Sequence, residues 1–200
     1  SLIIIPKIQR GGRVSSLNAG LSRSTGEIFL ALDGDTSFDN QMVHRARAHL
    51  RNANVVSVTG PMRVRNASAS IVTRLQSLEY MLSMQPGKLG LTEINVINNV
   101  PGAFGIFRKS FLQQIGGWNT GTAEDLDLTL RIKQYQGRHP ELRFEFEPGA
   151  VSHTGVPDKL IDFLKQRLRW DGDLLYLYAN KHRLGISASI MGWNNFIFIM

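Results

Sequence analysis

Hydrophobic and polar positions along the chain follow two periods, which predict short buried strands separated by amphipathic helices. Ile28 to Leu32 is a continuous apolar run followed by Asp33-Gly34-Asp35, and this pattern indicates a buried strand that leads into a turn. Between Ile71 and Leu82 apolar residues recur every three or four positions, as on one face of a helix, until Pro86-Gly87 interrupts them. The predicted strands are 28–32, 54–59, 103–107 and 142–147. The helices with two predicted ends are 71–82, 124–135 and 158–170, the last with a continuation over 174–178. Three more helices are predicted: one begins near Arg13, one is capped by Asp39 and runs to 50, and a short one ends at 115.

Strands that alternate with helices of this length favour an α/β fold with a mostly parallel sheet. Ligands of such sheets bind beyond the carboxyl ends of the strands, so polar residues that follow a predicted strand are candidates for a functional site. The sequence has 200 residues, which fits one domain with a sizeable core, and it contains no internal repeat or low-complexity segment.

Composition narrows the classes of function. Hydrophobic residues make up 42% of the sequence and charged residues 20%, the balance of an ordinary globular domain. Cysteine is absent, which excludes disulfides, cysteine-based zinc sites and thiol nucleophiles. The net charge of +7 predicts an anionic partner, which can be nucleic acid, an anionic membrane surface or a phosphorylated small molecule. Aromatic residues make up only 8%, which argues against a binder of single-stranded nucleic acid.

Both ends of the sequence resemble the interior of a longer chain. The opening segment Leu2 to Ile5 is typical of a buried strand, and Ile186 to Met200 contains no charged residue. These fifteen residues are fewer than the roughly 20 apolar residues that a membrane span needs, so 184–200 is interpreted as the start of a span, or alternatively as a buried helix. Lys181, His182 and Arg183 precede it, as expected on a cytoplasmic side, and no signal peptide is visible.

The triplet Asp33-Gly34-Asp35 is a candidate metal site. Two carboxylates at the end of a strand can hold Mg²⁺ or Mn²⁺, which prefer oxygen ligands and pair with diphosphates. The spacing is weak evidence by itself, because Asp125-Leu126-Asp127 and Asp171-Gly172-Asp173 share it, although only the first triplet follows a strong strand pattern. A solvated turn remains the alternative.

Glu124 and Asp125 stand at the start of a predicted helix. Acidic residues there are favoured by the helix dipole, so capping alone can explain them. A carboxylate at a helix start beside a cleft can also act as a general base toward an attacking hydroxyl. The residues themselves leave both interpretations open.

Two further groups contain candidate ligand-binding residues. Gln166, Arg169 and Trp170 lie three and four positions apart, on one face of the predicted helix, where an amide, a guanidinium and an indole can bind a diphosphate and a sugar. A basic surface helix with one buried tryptophan explains them equally well. Arg13 and Asn18 follow Gly11-Gly12 at a helix start and can meet a nucleotide, although no phosphate-loop motif is present.

The order of these features resembles processive family 2 glycosyltransferases, which include cellulose, chitin, hyaluronan and poly-N-acetylglucosamine synthases. The similarity covers about residues 7 to 183, and its most specific part is Gln166-Arg167-Leu168-Arg169-Trp170 downstream of Glu124-Asp125. Segments 99–104 and 116–118 are similar to the acceptor side of that family. The resemblance departs at Ala123, where the family usually has threonine, and the family's first strand and early aspartate precede residue 1.

The resemblance implies a GT-A fold, with a Rossmann-like mixed sheet flanked by helices in a catalytic domain over 1–183 and amphipathic helices that lead to a membrane segment. It also implies inverting transfer of a sugar from a nucleotide sugar, UDP-N-acetylglucosamine or UDP-glucose, to a glycan or lipid-linked acceptor. The implied location is the inner or plasma membrane, with the catalytic domain facing the cytoplasm, and nucleic acid is not an implied partner. Mg²⁺ or Mn²⁺ is the implied cofactor. The implied roles are general base for Asp125, metal ligand for Asp35, and substrate contacts for Arg13, Asn18, Asp33, Glu124, Gln166, Arg169 and Trp170.

Two alternatives come from other classes of protein. Phe29 to Ser37 is close to the nucleophile loop of HAD-type phosphohydrolases, in which Asp33 would be the nucleophile, but Thr36 stands where that loop needs glycine. A non-enzymatic basic module would need a stripe of positive charge, whereas the lysines and arginines are interleaved with acids along the chain.

Overall fold

In the computed structural model, which describes residues 3–96 and 99–199, the predicted strands and helices form close to their expected bounds. Within those residues the strands β1 to β7 are Ile28–Leu32, Ser37–Phe38, Val55–Thr59, Met62–Val64, Phe104–Arg108, Arg143–Phe146 and Ser152–Thr154. The helices α1 to α9 are Gly12–Arg23, Met42–His49, Ile71–Leu82, Lys88–Glu93, Lys109–Gln114, Glu124–Gln136, Leu160–Tyr176, Ala188–Met191 and Trp193–Ile197.

The main sheet has the strand order β1-β5-β3-β6. Strand β3 pairs parallel with β6, whereas β5 pairs antiparallel with both β1 and β3. The expected direction therefore holds for β1, β3 and β6, but β5 lies between β1 and β3 and runs the opposite way. Two of the three strand pairings in this sheet are antiparallel, so the prediction of a mostly parallel sheet is wrong. The mixed sheet expected of a GT-A fold is present.

The core lies on both faces of this sheet. All five residues of β3 are buried, and β5 contributes Phe104, Ile106 and Phe107, which are at most 3% exposed. Polar residues within β3 find partners in β5, since the Ser57 hydroxyl donates to the carbonyl of Ile106 at 3.0 Å. A three-stranded sheet of order β2-β7-β4 lies beyond the carboxyl end of β1 and closes the fold beside the loop of residues 33–36.

Two expectations about the chain fail in the structure and a third is confirmed. Ile3 and Ile4 lie in irregular backbone and are 67% and 78% exposed, so the predicted opening strand is absent there, while Leu2 is outside the described residues. Asp39 does not cap α2 with its side chain, because the helix begins three residues later, after Gln41. The predicted continuation of the 158–170 helix is present, since α7 runs without a break through Gly172 to Tyr176.

The predicted apolar face of α3 does form, but it does not face the core. Ile71, Leu75, Leu78 and Leu82 are 51% to 69% exposed, and the side chains that α3 buries are Thr73, Gln76 and Tyr80. Near the end of the chain, α8 and α9 are separated by Gly192, whose φ is +79°. Among the described residues, no helix has the length and apolar character that crossing a membrane requires.

Candidate functional site

Three chain segments meet at one end of the main sheet. Leu32, the last residue of β1, pairs with Phe104, the first residue of β5, because these two strands are antiparallel. Asp33 consequently lies beside the Pro101-Gly102 turn that leads into β5. The start of α6 approaches the same turn, so residues distant in sequence converge on the edge where the fold class predicts a ligand.

Asp125 is held in place by three N–H donors. Its Oδ2 accepts from the Gly102 backbone at 2.9 Å and from the Asn99 amide at 3.3 Å, and its Oδ1 accepts from the Leu126 backbone at 2.9 Å. A carboxylate offers about four acceptor sites, so one site is left for the proton of a hydroxyl. The Thr129 hydroxyl, which donates to the Asp125 carbonyl at 2.8 Å and contacts Asn99, supports the arrangement from the next turn.

The helix that carries Asp125 begins in a strained conformation. Ala123 precedes α6 with φ +41° and ψ +56°, a left-handed geometry that costs a non-glycine residue about 1–2 kcal/mol. No side chain caps the helix, and Glu124, Asp125 and Asp127 occupy its first turn, where the dipole favours negative charge. The alanine that departs from the pattern of the resembled family therefore stands at the point that sets the direction of the Glu124 and Asp125 side chains.

Arg13 joins the two acidic segments. Its guanidinium lies 2.7 Å from Asp33 Oδ1 and 3.0 Å from Glu124 Oε1, and it donates to the Gly102 carbonyl at 2.6 Å. A Cβ at position 102 would lie 3.0 Å from Glu124 Oε1 and 3.1 Å from Arg13 Nη1, so glycine leaves the space that this ion pair fills. The predicted nucleotide contacts Arg13, Asp33 and Glu124 are thus brought together.

Negative charge accumulates around the Asp33–Asp35 loop. Burial raises the pKa of Asp33, Arg13 opposes this shift, and the neighbouring carboxylates of Asp35 and Asp125 raise the pKa further. Burial likewise raises the pKa of Glu124, again opposed by Arg13. Carboxyl groups whose pKa is shifted by burial and by neighbouring charges are typical of functional sites.

The Asp33–Asp35 loop is where the sequence predicts a divalent cation. Arg65 fixes its backbone by donating to the carbonyls of Asp35 and His153 and to the Ser37 hydroxyl at 2.8 to 2.9 Å, and the Asp35 side chain is exposed. The described residues contain no group of three or more His, Cys, Asp or Glu side chains that could hold a metal by themselves. One or two carboxylates with substrate phosphates are the usual environment of Mg²⁺, so this donor set fits the implied metal.

A buried lysine behind Asp125 was not predicted from the sequence. Lys88 is 5% exposed and donates to the Asn99 carbonyl at 2.8 Å. Burial lowers its pKa to about 8, and the nearby Asp125 carboxylate opposes that shift. Its only sequence signal is a charged residue in the otherwise uncharged segment 80–92, which is too weak to identify it without the contact.

Asn18 contacts protein rather than open solvent. Its amide donates to the Trp118 carbonyl at 2.7 Å, and its Oδ1 accepts from the Trp118 backbone at 3.1 Å. Gly117, with φ +63°, makes this possible, because a Cβ there would lie 2.5 Å from Asn18 Oδ1. Asn18 therefore joins α1 to the 116–118 loop.

Gln166, Arg169 and Trp170 lie on α7, which buries none of its residues completely. Arg169 approaches Asp173 at 3.9 Å, Trp170 packs under the Arg167 guanidinium at 4.8 Å, and Gln166 Oε1 is buried without a hydrogen-bond partner among the described residues. Within that part of the chain, none of their hydrogen bonds or ion pairs reaches Asp33 or Asp125. The structure thus brings together the residues from α1, β1 and α6 but leaves the α7 residues apart from them.

Comparison with known proteins assigns this arrangement to a family of enzymes. Residues 28–199 match the family model of glycosyl transferase family group 2. A poly-β-1,6-N-acetyl-D-glucosamine synthase from Staphylococcus epidermidis is 29% identical over 161 residues, which are 80% of this chain and 38% of that protein. The synthase of Staphylococcus aureus (strain COL) is 28% identical over 172 residues, 84% of this chain and 40% of that protein. The chain spans about two fifths of the length of these curated relatives.

Solved structures show the same fold at low sequence identity. The mannosyltransferase PcManGT from Pyrobaculum calidifontis, in complex with GDP-Man and Mn²⁺, aligns with a TM-score of 0.69 and 17% identity over 98% of this chain and 52% of its own. GalNAc-T7 with UDP, GalNAc and Mn²⁺ aligns with a TM-score of 0.54 and 12% identity over 96% of this chain and 42% of its own. The architecture is therefore that of the GT-A glycosyltransferases.

Proposed function

The chain belongs to glycosyl transferase family group 2, and we propose that it transfers a sugar, with inversion, from a nucleotide sugar to a growing polysaccharide or glycolipid. The staphylococcal relatives, which are poly-N-acetylglucosamine synthases, support UDP-N-acetylglucosamine as the donor, with UDP-glucose as the alternative.

The observation that carries this proposal is the position of Asp125. Its carboxylate is oriented by the Gly102 and Asn99 donors and lies within the electrostatic influence of Asp33, at the edge of the sheet where the nucleotide sugar is expected. In the proposed reaction Asp125 accepts the proton of an acceptor hydroxyl while that oxygen attacks the anomeric carbon. The bond from the anomeric carbon to the diphosphate breaks on the opposite face, and the nucleoside diphosphate leaves with the bonding electrons.

The other predicted residues support this step by binding. Arg13 and Asp33 contact the donor in the proposal, and Asp35 holds Mg²⁺ or Mn²⁺. When bound, the cation stabilises negative charge on the departing diphosphate. In the proposal Arg169 adds a guanidinium to the same phosphates, and Gln166 and Trp170 contact the acceptor sugar.

A donor panel tests the proposed function. The protein, expressed at its natural length in membranes, is expected to release nucleoside diphosphate from one sugar of a panel of UDP- and GDP-sugars in the presence of Mg²⁺ or Mn²⁺. The same preparation with EDTA is the control. Phosphate release from a generic phosphomonoester, without diphosphate release from any nucleotide sugar, would contradict the proposal.

We also propose that the protein works against the cytoplasmic face of a membrane, with α3 and α7 at its surface. Leu75 and Leu78 of α3 and Leu164 and Leu168 of α7 are 46% to 72% exposed. The two helices are joined by the ion pair of Glu79 and Arg167, whose side chains are 2.5 Å apart. Exposed apolar side chains on adjacent helices are typical of a surface that another apolar phase covers.

Basic side chains beside this apolar surface favour a bilayer as that phase. Arg74, Lys159, Lys165 and Arg169 are exposed on or next to α3 and α7, although each of the two helices carries as many acidic as basic residues. A basic residue near the surface attracts anionic lipid by about 1 kcal/mol, while apolar residues gain free energy by leaving water. A bilayer with anionic lipid offers partners to both kinds of side chain.

Vesicle binding tests this surface. The Leu75→Glu/Leu168→Glu double variant of this chain is expected to bind phosphatidylglycerol-containing vesicles at least about tenfold more weakly than the wild type, because two apolar contacts are lost and two negative charges added. Co-sedimentation measures the difference. Val43→Glu, which changes an exposed apolar residue of α2, is the matched control. Equal binding by the double variant and the wild type would rule out this surface.

A further inference from the structure

A second aspartate of α6 has a role that the proposed reaction does not use. The Asp127 side chain is completely buried, and its Oδ1 accepts from Lys181 Nζ at 2.7 Å and from His182 Nε2 at 2.8 Å. Its Oδ2 accepts from Arg131 Nε at 3.0 Å. Burial alone would raise its pKa, but the hydrogen bonds from His182 and Lys181 outweigh burial and lower the pKa to about 2. Asp127 is therefore ionised at neutral pH.

The donors to Asp127 also bind the loop on the acceptor side. Arg131 donates to the carbonyls of Ile115 at 2.8 Å and Gly117 at 2.5 Å, and Lys181 donates to Asn119 Oδ1 at 2.5 Å. This is the loop whose Trp118 backbone is held by Asn18 from α1. One buried carboxylate thus connects α6, the 115–119 loop and the segment that follows α7.

His182 bridges two side chains of α6. It is 6% exposed, and its Nδ1 lies 3.1 Å from the Gln134 amide nitrogen while its Nε2 lies 2.8 Å from Asp127 Oδ1. Its backbone N–H donates to the Leu177 carbonyl at 2.8 Å, which closes the turn after α7. The imidazole therefore links α6 to the end of the helix that carries Gln166, Arg169 and Trp170.

We propose that Asp127 is a positioning residue for glycosyl transfer, an inference that rests on the function proposed above. Asp127 follows Asp125 by two residues in the same helical turn, so the contacts that fix Asp127 also fix the base relative to the 115–119 loop and the end of α7. Buried ion pairs add little net stability compared with well-packed apolar residues, and in some proteins they specify geometry instead. Transfer is sensitive to such geometry, since a displacement of about 1 Å can cost about 10²-fold in rate.

Variants of the donors to Asp127 test the proposal in the protein at its natural length. His182→Leu removes the imidazole donor, whereas His182→Gln retains an N–H that can reach Asp127. Lys181→Met removes a donor whose side chain is 26% exposed, so this variant is expected to fold even if His182→Leu does not. Glu141→Gln, which breaks an exposed contact with His139, is the control.

The expected result is a change in turnover rather than in donor binding. The kcat of transfer, per folded protein, is expected to fall at least about tenfold in His182→Leu and measurably in Lys181→Met, with the Kd for nucleoside diphosphate within about twofold of the wild type. His182→Gln is expected to restore most of the kcat. Unchanged kcat in both His182→Leu and Lys181→Met would overturn the positioning role, and if His182→Leu does not fold, unchanged kcat in Lys181→Met is enough to do so. The proposed function would still stand in that case, because the wild type is active. An inactive wild type would overturn both.

Discussion

Replacing Asp125 with asparagine is expected to lower the kcat of glycosyl transfer by about 10²–10⁴-fold, the usual contribution of one positioned general base. Asparagine has nearly the same shape, and its amide oxygen can still accept from the Gly102 backbone, as Asp125 Oδ2 does at 2.9 Å. The variant loses the ability to take a proton from the acceptor hydroxyl, and its NH2 group replaces the Oδ1 that accepts from the Leu126 backbone. Nucleotide binding is therefore expected to persist, since in the proposal Arg13 and Asp33 contact the donor.

The measurement is kcat for diphosphate release beside the Kd for the nucleoside diphosphate, both on membranes that contain equal amounts of folded protein. Asp39→Asn, the same chemical change at an exposed aspartate whose Oδ1 lies 3.9 Å from His153 Nδ1, is the control and should leave kcat unchanged. An Asp125→Asn protein with near-normal turnover would refute the assignment of the base. Loss of nucleotide binding together with turnover would instead indicate that the change disrupts the site.

Replacing Asp35 with asparagine is expected to reduce turnover by about 10²-fold and to raise the metal concentration needed for half-maximal activity. Asp35 presents an exposed carboxylate at the mouth of the acidic loop, and a neutral amide is a much weaker ligand for a hard cation. A cation that is bound less tightly stabilises less of the charge that develops on the leaving diphosphate. Activity is measured as Mn²⁺ or Mg²⁺ is titrated after EDTA treatment.

Asp171→Asn provides a matched control for this experiment, because Asp171 is an exposed first residue of another Asp-x-Asp triplet. Its metal dependence is expected to match that of the wild type. Full turnover of the wild type in excess EDTA would show that the acidic loop works without a divalent cation, and Asp35 would then lose its proposed role.

Local pattern was enough to predict the elements that present the site. The apolar run of β1 and the helical spacing of α3 gave bounds that the structure reproduces at 28–32 and 71–82. The same spacing did not reveal which way α3 faces, because an apolar stripe looks alike whether it meets the core or an external apolar phase. Ile3 and Ile4 show the same limit, since an apolar run forms a strand only where a partner strand is available.

The contacts that complete the site are long-range, and no local pattern indicates them. Arg13 bonds to the Gly102 carbonyl 89 residues away, and His182 bonds to Asp127 across 55 residues. Asp127 carried a local signal, an arginine four positions later, but that spacing is equally typical of an exposed helix pair. Lys88 carried almost no signal in the local sequence.

Family membership decides among the alternatives that the residues left open. The matched region 28–199 includes the Asp33–Asp35 loop and the Gln166–Trp170 segment together. A phosphohydrolase has no use for the second of these, and a non-enzymatic basic module needs neither. Of the anionic partners that the positive net charge predicts, a phosphorylated small molecule is the one that fits a glycosyltransferase family.

The position of β5 between β1 and β3 also has a consequence for how the protein folds during synthesis. Strands β1 and β3 emerge first but have no direct pairing with each other, and each leaves an open edge until residues 104–108 arrive. Pairings of such high contact order form slowly, and unpaired strand edges are prone to aggregation. The acidic loop and the turn at Gly102 meet only when β5 is inserted, so a nascent chain brings these two segments together at the same moment as the facing edges of β1 and β3 become paired.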